Sequence, residues 1–182
     1  HFLKNPEIAK RIAEALDLRE GDAVVEVGAG RGALTHILVE SCKFKVDKLR
    51  IIAIEKDEKL VQELARKFEI QSTKFKTISK SEIQNSKLIM LEGDALKVLP
   101  EITDNLQLTT YNYKLIGNIP YYITGKLLRV IGELEHKPEV TVLMVQKEVA
   151  ERVSAKPPHF NLLAASVQVW AEAEVLFSVS KK

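Results

Sequence analysis

The chain has 182 residues, 46% of them hydrophobic and 29% charged, with a formal net charge of +2. That is ordinary for a globular domain and enough chain for one full core. No run of about 18 apolar residues exists, so no membrane span is expected, and the single Cys42 excludes an internal disulfide.

The N-terminus begins at His1 rather than Met and has no signal-peptide pattern, so the chain is expected to be trimmed at its front. Asn5-Pro6-Glu7 predicts a helix start: a capping amide, Pro at the first helical position and an acid in the first turn. Ile8, Ile12, Ala15 and Leu16 then share one face, and Gly21 closes the segment. Ala23–Val27 is a β-branched strand candidate that runs into Gly28-Ala-Gly-Arg-Gly32, with a helix over 33–40. Ile51–Ile54 is a second strand, ending at Glu55, and Asp57 caps a helix through Lys67. Residues 68–87 read as a polar insertion or flexible connector. A third strand, Leu88–Leu91, leads to Gly93-Asp94-Ala95 and a short helix to Leu99. After a second polar connector over 101–113, Leu115-Ile116 forms a fourth strand ending at Asn118. A helix over 124–134, a strand over 140–145, a helix over 147–153, an apolar helix over 161–171 and a last strand over 174–179 complete the pattern. Alternating strands and helices predict an α/β fold with a mostly parallel sheet covered on both faces.

In such sheets ligands bind beyond the carboxyl ends of the strands. Four strand ends carry residues of interest: Glu26 to Gly32, Glu55, Asp94 and Asn118. The glycines permit a sharp turn and close approach of a ligand to the backbone, and the helix that follows offers free amide donors. With Ala33 they also satisfy the dinucleotide pattern Gly-x-Gly-x-x-Gly/Ala. Glu26, two residues before the first glycine, is awkward beside a pyrophosphate but comfortable beside a nucleoside cofactor with an ammonium group. Glu55 could accept from both ribose hydroxyls, or be a surface acid. Asp94 could accept from an adenine amine, or simply cap a helix. Asn118 is followed by Ile119, Pro120 and two tyrosines. Its amide oxygen and the Ile119 carbonyl could accept the two hydrogens of an adenine N6 and free its lone pair. Tyr121 offers a face for a base, worth roughly 1–3 kcal/mol by stacking. The four His and Cys42 show no ligand spacing, so no metal site is expected. From Lys43 to Lys87, 12 Lys/Arg stand against 7 Asp/Glu, which marks either a solvated flank or one facing phosphates.

The set His1-Phe-Leu3, Glu26-Val-Gly-Ala-Gly-Arg-Gly32, Glu55, Gly93-Asp-Ala95, Asn118-Ile-Pro-Tyr-Tyr-Ile-Thr124 and Gln146-Lys-Glu-Val-Ala-Glu-Arg152 resembles the ribosomal RNA adenine N6,N6-dimethyltransferases. The glycine motif is common to many methyltransferases, whereas the Asn118 block with the Gln146 block is far more specific. The resemblance implies a Rossmann-like class I methyltransferase using S-adenosylmethionine. It implies as substrate two adjacent adenosines near the 3′ end of small-subunit rRNA in the immature ribosomal subunit. It assigns His1, Leu3, Gly28, Gly30, Glu55, Asp94 and Asn118 to the cofactor, and Asn118 and Tyr121 to the target base. A cytoplasmic monomer is expected, with no membrane partner.

The connectors are long for bacterial members and suggest an archaeal- or eukaryote-like branch, and the loop 155–161 lacks a Tyr-Gly segment. The resemblance implies a C-terminal helical domain beyond residues 1–182. Residues 1–182 are therefore expected to be a catalytic domain that binds donor but methylates poorly. On the residues alone three other readings remain: a resistance-type large-subunit rRNA methyltransferase, a non-catalytic assembly factor on the same fold, and a dinucleotide oxidoreductase.

Overall fold

The computed structural model describes residues 3, 5–44, 48–70, 72–74, 86–104 and 113–179. Helix α1 (Pro6–Glu14) begins where Asn5 Oδ1 accepts the Glu7 N–H at 3.0 Å, so the amide satisfies a donor that the first turn leaves free. Strand β1 (Ala23–Val27) is followed by α2 (Ala33–Phe44), β2 (Arg50–Glu55) and α3 (Glu58–Lys67), which Asp57 caps through the Lys59 and Leu60 amides. Next come β3 (Ser72–Lys74), β4 (Leu88–Glu92), α4 (Ala95–Asp104) and β5 (Tyr113–Asn118). The described chain continues through α5 (Tyr121–Glu133), β6 (Val140–Met144), α6 (Lys147–Val153) and α7 (Leu162–Gln168).

The six strands form one sheet in the order β3-β4-β2-β1-β5-β6, and every pairing is parallel. Alternate residues feed opposite layers. Val25, Val27, Ile52, Ile54, Leu91 and Leu115 pack against Val98, Leu99 and Ile102 of α4 and Leu127 and Ile131 of α5. On the other face Val24, Ile51 and Ile116 meet Ile12 of α1 and Leu34 and Leu38 of α2, and Ala53 and Met90 meet Val61 and Leu64 of α3. The chain leaves β1 toward β2 on one side and returns to β5 on the other. That places a topological switch point at the C-terminal ends of β1 and β5, where open α/β sheets form their ligand crevice.

Three expectations are revised. The stretch read as a connector over 68–87 contains β3, where Ser72, Thr73 and Lys74 pair with Met90, Leu91 and Glu92. A polar segment is recruited there by backbone hydrogen bonding to an open edge, which side-chain hydrophobicity does not report. Helix α4 runs on through Pro100 to Asp104, with the Thr103 hydroxyl donating to the Leu99 carbonyl at 3.0 Å. Residues 174–179 are not a strand among the described residues. Phe177 packs on the α1–α2 layer instead, with the Arg11 guanidinium 3.9 Å from its ring centre. β-Branched residues become a strand only where a ladder partner lies alongside. Residues 71, 75–85 and 105–112 within the expected connectors, and His1, lie outside the described residues.

Candidate functional site

A cavity of about 390 Å³ opens at the switch point and is walled by all four strand ends singled out above. Leu3, Gly28, Gly30, Glu55, Asp94 and Asn118 all line it. It is built by the turn after β1, the ends of β2 and β4, and the start of α5.

The glycine turn is held from two sides. The Gly28 and Ala29 amides donate to the Ile54 carbonyl at 2.9 and 3.1 Å, and the Gly30 amide donates to Glu55 Oε2 at 2.8 Å. Glu55 Oε1 in turn accepts the Lys56 and Asp57 amides at 2.7 and 2.9 Å. Glu55 is therefore more than a strand-end acid. It fixes the spacing between the turn after β1 and the turn after β2, while an ionised carboxylate retains acceptor capacity for a hydroxyl. Gly32 is required by packing: a Cβ there would lie 2.5 Å from Leu64 Cδ2, and its φ is +76°. This close approach seats α3 against the glycine turn.

Glu26 is the deepest polar group of the wall. It is 1% exposed, and its Oε2 accepts the Thr35 hydroxyl at 2.6 Å. Burial raises its pKa from 4.5 to about 7; the hydroxyl and amide of Thr35 work against that rise, and the Glu55 charge adds to it. Between those values the native protein holds a proton that the unfolded chain has lost, so this group's stabilisation is full below pH 4.5 and is lost as pH rises toward 7. The total is about 3 kcal/mol at 1.36 kcal/mol per pKa unit. Urea unfolding across that range should show the wild type losing this much relative to Glu26→Gln, whose profile lacks the step.

Asp94 serves two partners. Its Oδ1 caps α4 by accepting the Leu96 amide at 3.1 Å, and its Oδ2 lies 3.3 Å from Lys56 Nζ. The capping role and the cavity-lining role, alternatives in the sequence, coexist here because a carboxylate has two oxygens. Lys56 is largely exposed, so this ion pair contributes little to stability.

Asn118 ends β5, paired in register with Met144, and the Ile119 amide continues the ladder by donating to the Met144 carbonyl at 2.9 Å. Pro120 then starts α5, and its carbonyl accepts the Thr124 hydroxyl at 3.0 Å. Tyr121 and Tyr122 are 65% and 79% exposed. Pro120, Tyr122 and Ile123 line the cavity, whereas Tyr121 stands beside it on the first residue of α5. Gly117 lets β5 lie close to β1: a Cβ there would come 2.7 Å from the Val27 carbonyl oxygen and 2.6 Å from Ile119 Cδ1. Gly117→Ala is expected to cost about 1–3 kcal/mol by overpacking, read as a lowered urea midpoint.

Sequence reasoning missed Lys56 and Tyr122 in the wall and Thr35 behind it. Thr35 had one available signal, a hydroxyl in the first turn of the helix after the glycines. Lys56 had none, since its contact with Asp94 spans 38 residues of chain.

A model of the ribosomal RNA adenine dimethylase family matches residues 1–182. Ribosomal RNA small subunit methyltransferase A of Dehalococcoides mccartyi (strain CBDB1) is 36% identical over 176 residues, covering 97% of this chain and 53% of that protein. The chain thus spans about half the length of the curated relatives it matches. In structure it resembles a dimethyladenosine transferase from Plasmodium falciparum, with a TM-score of 0.64 at 24% identity over 93% of this chain and 52% of that one. The 23S rRNA methyltransferase ErmE gives a TM-score of 0.59 at 23% identity over 85% and 51%. At these identities both likenesses speak to the fold alone.

Proposed function

This chain belongs to the ribosomal RNA adenine dimethylase family, and from that premise we propose that it is the catalytic domain of an enzyme that transfers methyl groups from S-adenosylmethionine to N6 of two adjacent adenosines near the 3′ end of small-subunit rRNA. The observation that carries this reading is the convergence of Glu26, Glu55, Asp94 and Asn118 on one cavity at the switch point.

The residues present fit the cofactor. Four acids line the cavity, Glu26, Glu55, Asp57 and Asp94, against two basic residues, Arg31 and Lys56. That balance suits a cationic nucleoside and opposes a diphosphate. Glu55 would hold the ribose hydroxyls, Asp94 the adenine amine, and Gly28, Gly30 and Leu3 the surrounding backbone and apolar surface. When bound, S-adenosylmethionine supplies an electrophilic methyl group on a positively charged sulfur. The protein's part is placement. The Asn118 amide oxygen and the Ile119 carbonyl would accept the N6 hydrogens and turn the nitrogen lone pair toward the methyl group. Tyr121 would stack on an adenine that has left its helix.

The natural substrate of this reading is the immature small ribosomal subunit, met by a monomer in the cytoplasm. Among the described residues no helix is long and apolar enough to cross a membrane. The test is transfer of labelled methyl from the donor to immature small subunits by the full-length protein, which carries the family's C-terminal domain, followed by mapping of the modified bases. Label in two adjacent small-subunit adenosines is expected; donor binding without transfer, or label confined to the large subunit, would overturn the assignment.

A further inference from the structure

Glu26 differs from the other acids of the cavity wall in what faces it. Glu55 is anchored by three amides and Asp94 is paired with Lys56, whereas Glu26 takes its hydrogen bonds from Thr35 alone and enters no ion pair among the described residues. Thr35 is itself fully buried in the first turn of α2 and donates both its hydroxyl and its amide. The charged groups around the same cavity are Glu55 from β2, Lys56 and Asp57 in the turn after it, Asp94 after β4 and Arg31 in the glycine turn. β5 presents the neutral Asn118 there, while its Lys114 is engaged by Asp22 at the far end of the strand. Of these groups, Glu55 is the charge that acts on Glu26, and it is of like sign.

A buried carboxylate without a cation is costly to ionise. A positive ligand in the same cavity reverses that cost. We propose that Glu26 exchanges a proton for the cofactor: a ligand bearing an ammonium or sulfonium charge displaces a proton from the Glu26 carboxyl to solvent as it binds, and Thr35 is the positioning residue that holds the carboxylate for this exchange. The inference rests on the reading that the cavity takes S-adenosylmethionine. The raised pKa of Glu26, about 7, puts the exchange in the neutral range.

Three ligands separate the possible sources of charge. S-adenosylmethionine carries both cations, S-adenosylhomocysteine the ammonium only, and 5′-methylthioadenosine neither. Calorimetric titration in two buffers of different ionisation enthalpy counts the protons released, and titration of the ligand's own amine cancels between wild type and Glu26→Gln. The expected difference is close to one proton at about pH 6, falling toward zero by about pH 8.5. Wild-type affinity should be about tenfold weaker at the lower pH, one decade per pH unit below the pKa. Release with both charged ligands assigns the ammonium, and release with S-adenosylmethionine alone assigns the sulfonium. Methylthioadenosine should release none.

Thr35→Val removes the donor that favours the ionised form, so the midpoint of release should move to higher pH, and Thr35→Ser should restore it. A purely structural Thr35 would lower stability and leave the midpoint in place. This comparison also stands if Glu26→Gln does not fold. Cofactor binding with equal proton counts in wild type and Glu26→Gln would overturn the proposal and leave the cofactor assignment standing. Failure of all three ligands to bind at any pH would overturn the cofactor assignment, and the proposal with it.

Discussion

Replacing Asn118 with Ala should lower the rate of methyl transfer by about 10²–10³-fold, equivalent to about 2.7–4 kcal/mol of lost transition-state stabilisation. The reason is the placement of the side chain. Asn118 closes β5, a strand buried on both faces and bonded to β1 and β6 on either side. Its position is therefore set by the sheet, and reorganisation during the reaction is small. The amide oxygen is proposed to accept an N6 hydrogen where the nitrogen becomes tetrahedral, an interaction that strengthens as the methyl group arrives. Donor affinity should change by less than about tenfold, the value of one neutral hydrogen bond. A single-turnover measurement with saturating donor separates the two effects. Wild-type transfer by the variant would remove Asn118 from the chemistry.

The second large effect is expected at the opposite end of the same strand. Lys114 is 1% exposed, and its Nζ lies 3.0 Å from Asp22 Oδ2 and also donates to the Asp17 carbonyl. Asp22, 6% exposed, further accepts the Arg19 amide at 2.8 Å. These bonds tie the start of β5 to the loop between α1 and β1. Lys114→Met or Asp22→Leu leaves one buried charge without its partner and should cost about 3–5 kcal/mol. Against a total of roughly 5–15 kcal/mol for a domain this is a large share. The double substitution Lys114→Met with Asp22→Leu removes both charges and should be more stable than either single variant, because the desolvation cost goes with the pair. Urea unfolding of the four proteins gives the cycle. A single substitution costing under about 1 kcal/mol would class the pair with weak surface bridges. Loss of the anchor should also reach function, since Asn118 lies four residues along the strand from Lys114.

Much of this molecule is legible in its sequence. The runs at Ala23–Val27, Ile51–Ile54 and Leu88–Leu91 read as buried strands, since each is short, rich in β-branched or other apolar residues, and flanked by polar or glycine residues. The caps at Asn5 and Asp57 were legible because capping is local: each side chain accepts from an amide two or three residues on. The ordering of Glu26, Glu55, Asp94 and Asn118 at successive strand ends followed from the α/β alternation and held in the structure, because a parallel sheet brings all its carboxyl ends to one side.

Other features depended on contacts between distant residues, which periodicity and propensity do not encode. Ser72–Lys74 is a strand only because the edge of β4 is open to it, and residues 174–179 pair with no strand among the described residues. Lys114 meets Asp22 across 92 residues of chain and is buried, a pairing that no local pattern announces. Glu26 was legible as a strand-end acid. Its isolation from water, its dependence on Thr35 and its titration near neutrality were decided by the layer of helix α2 laid over it, because desolvation is a property of the packed interior and of no local stretch of sequence.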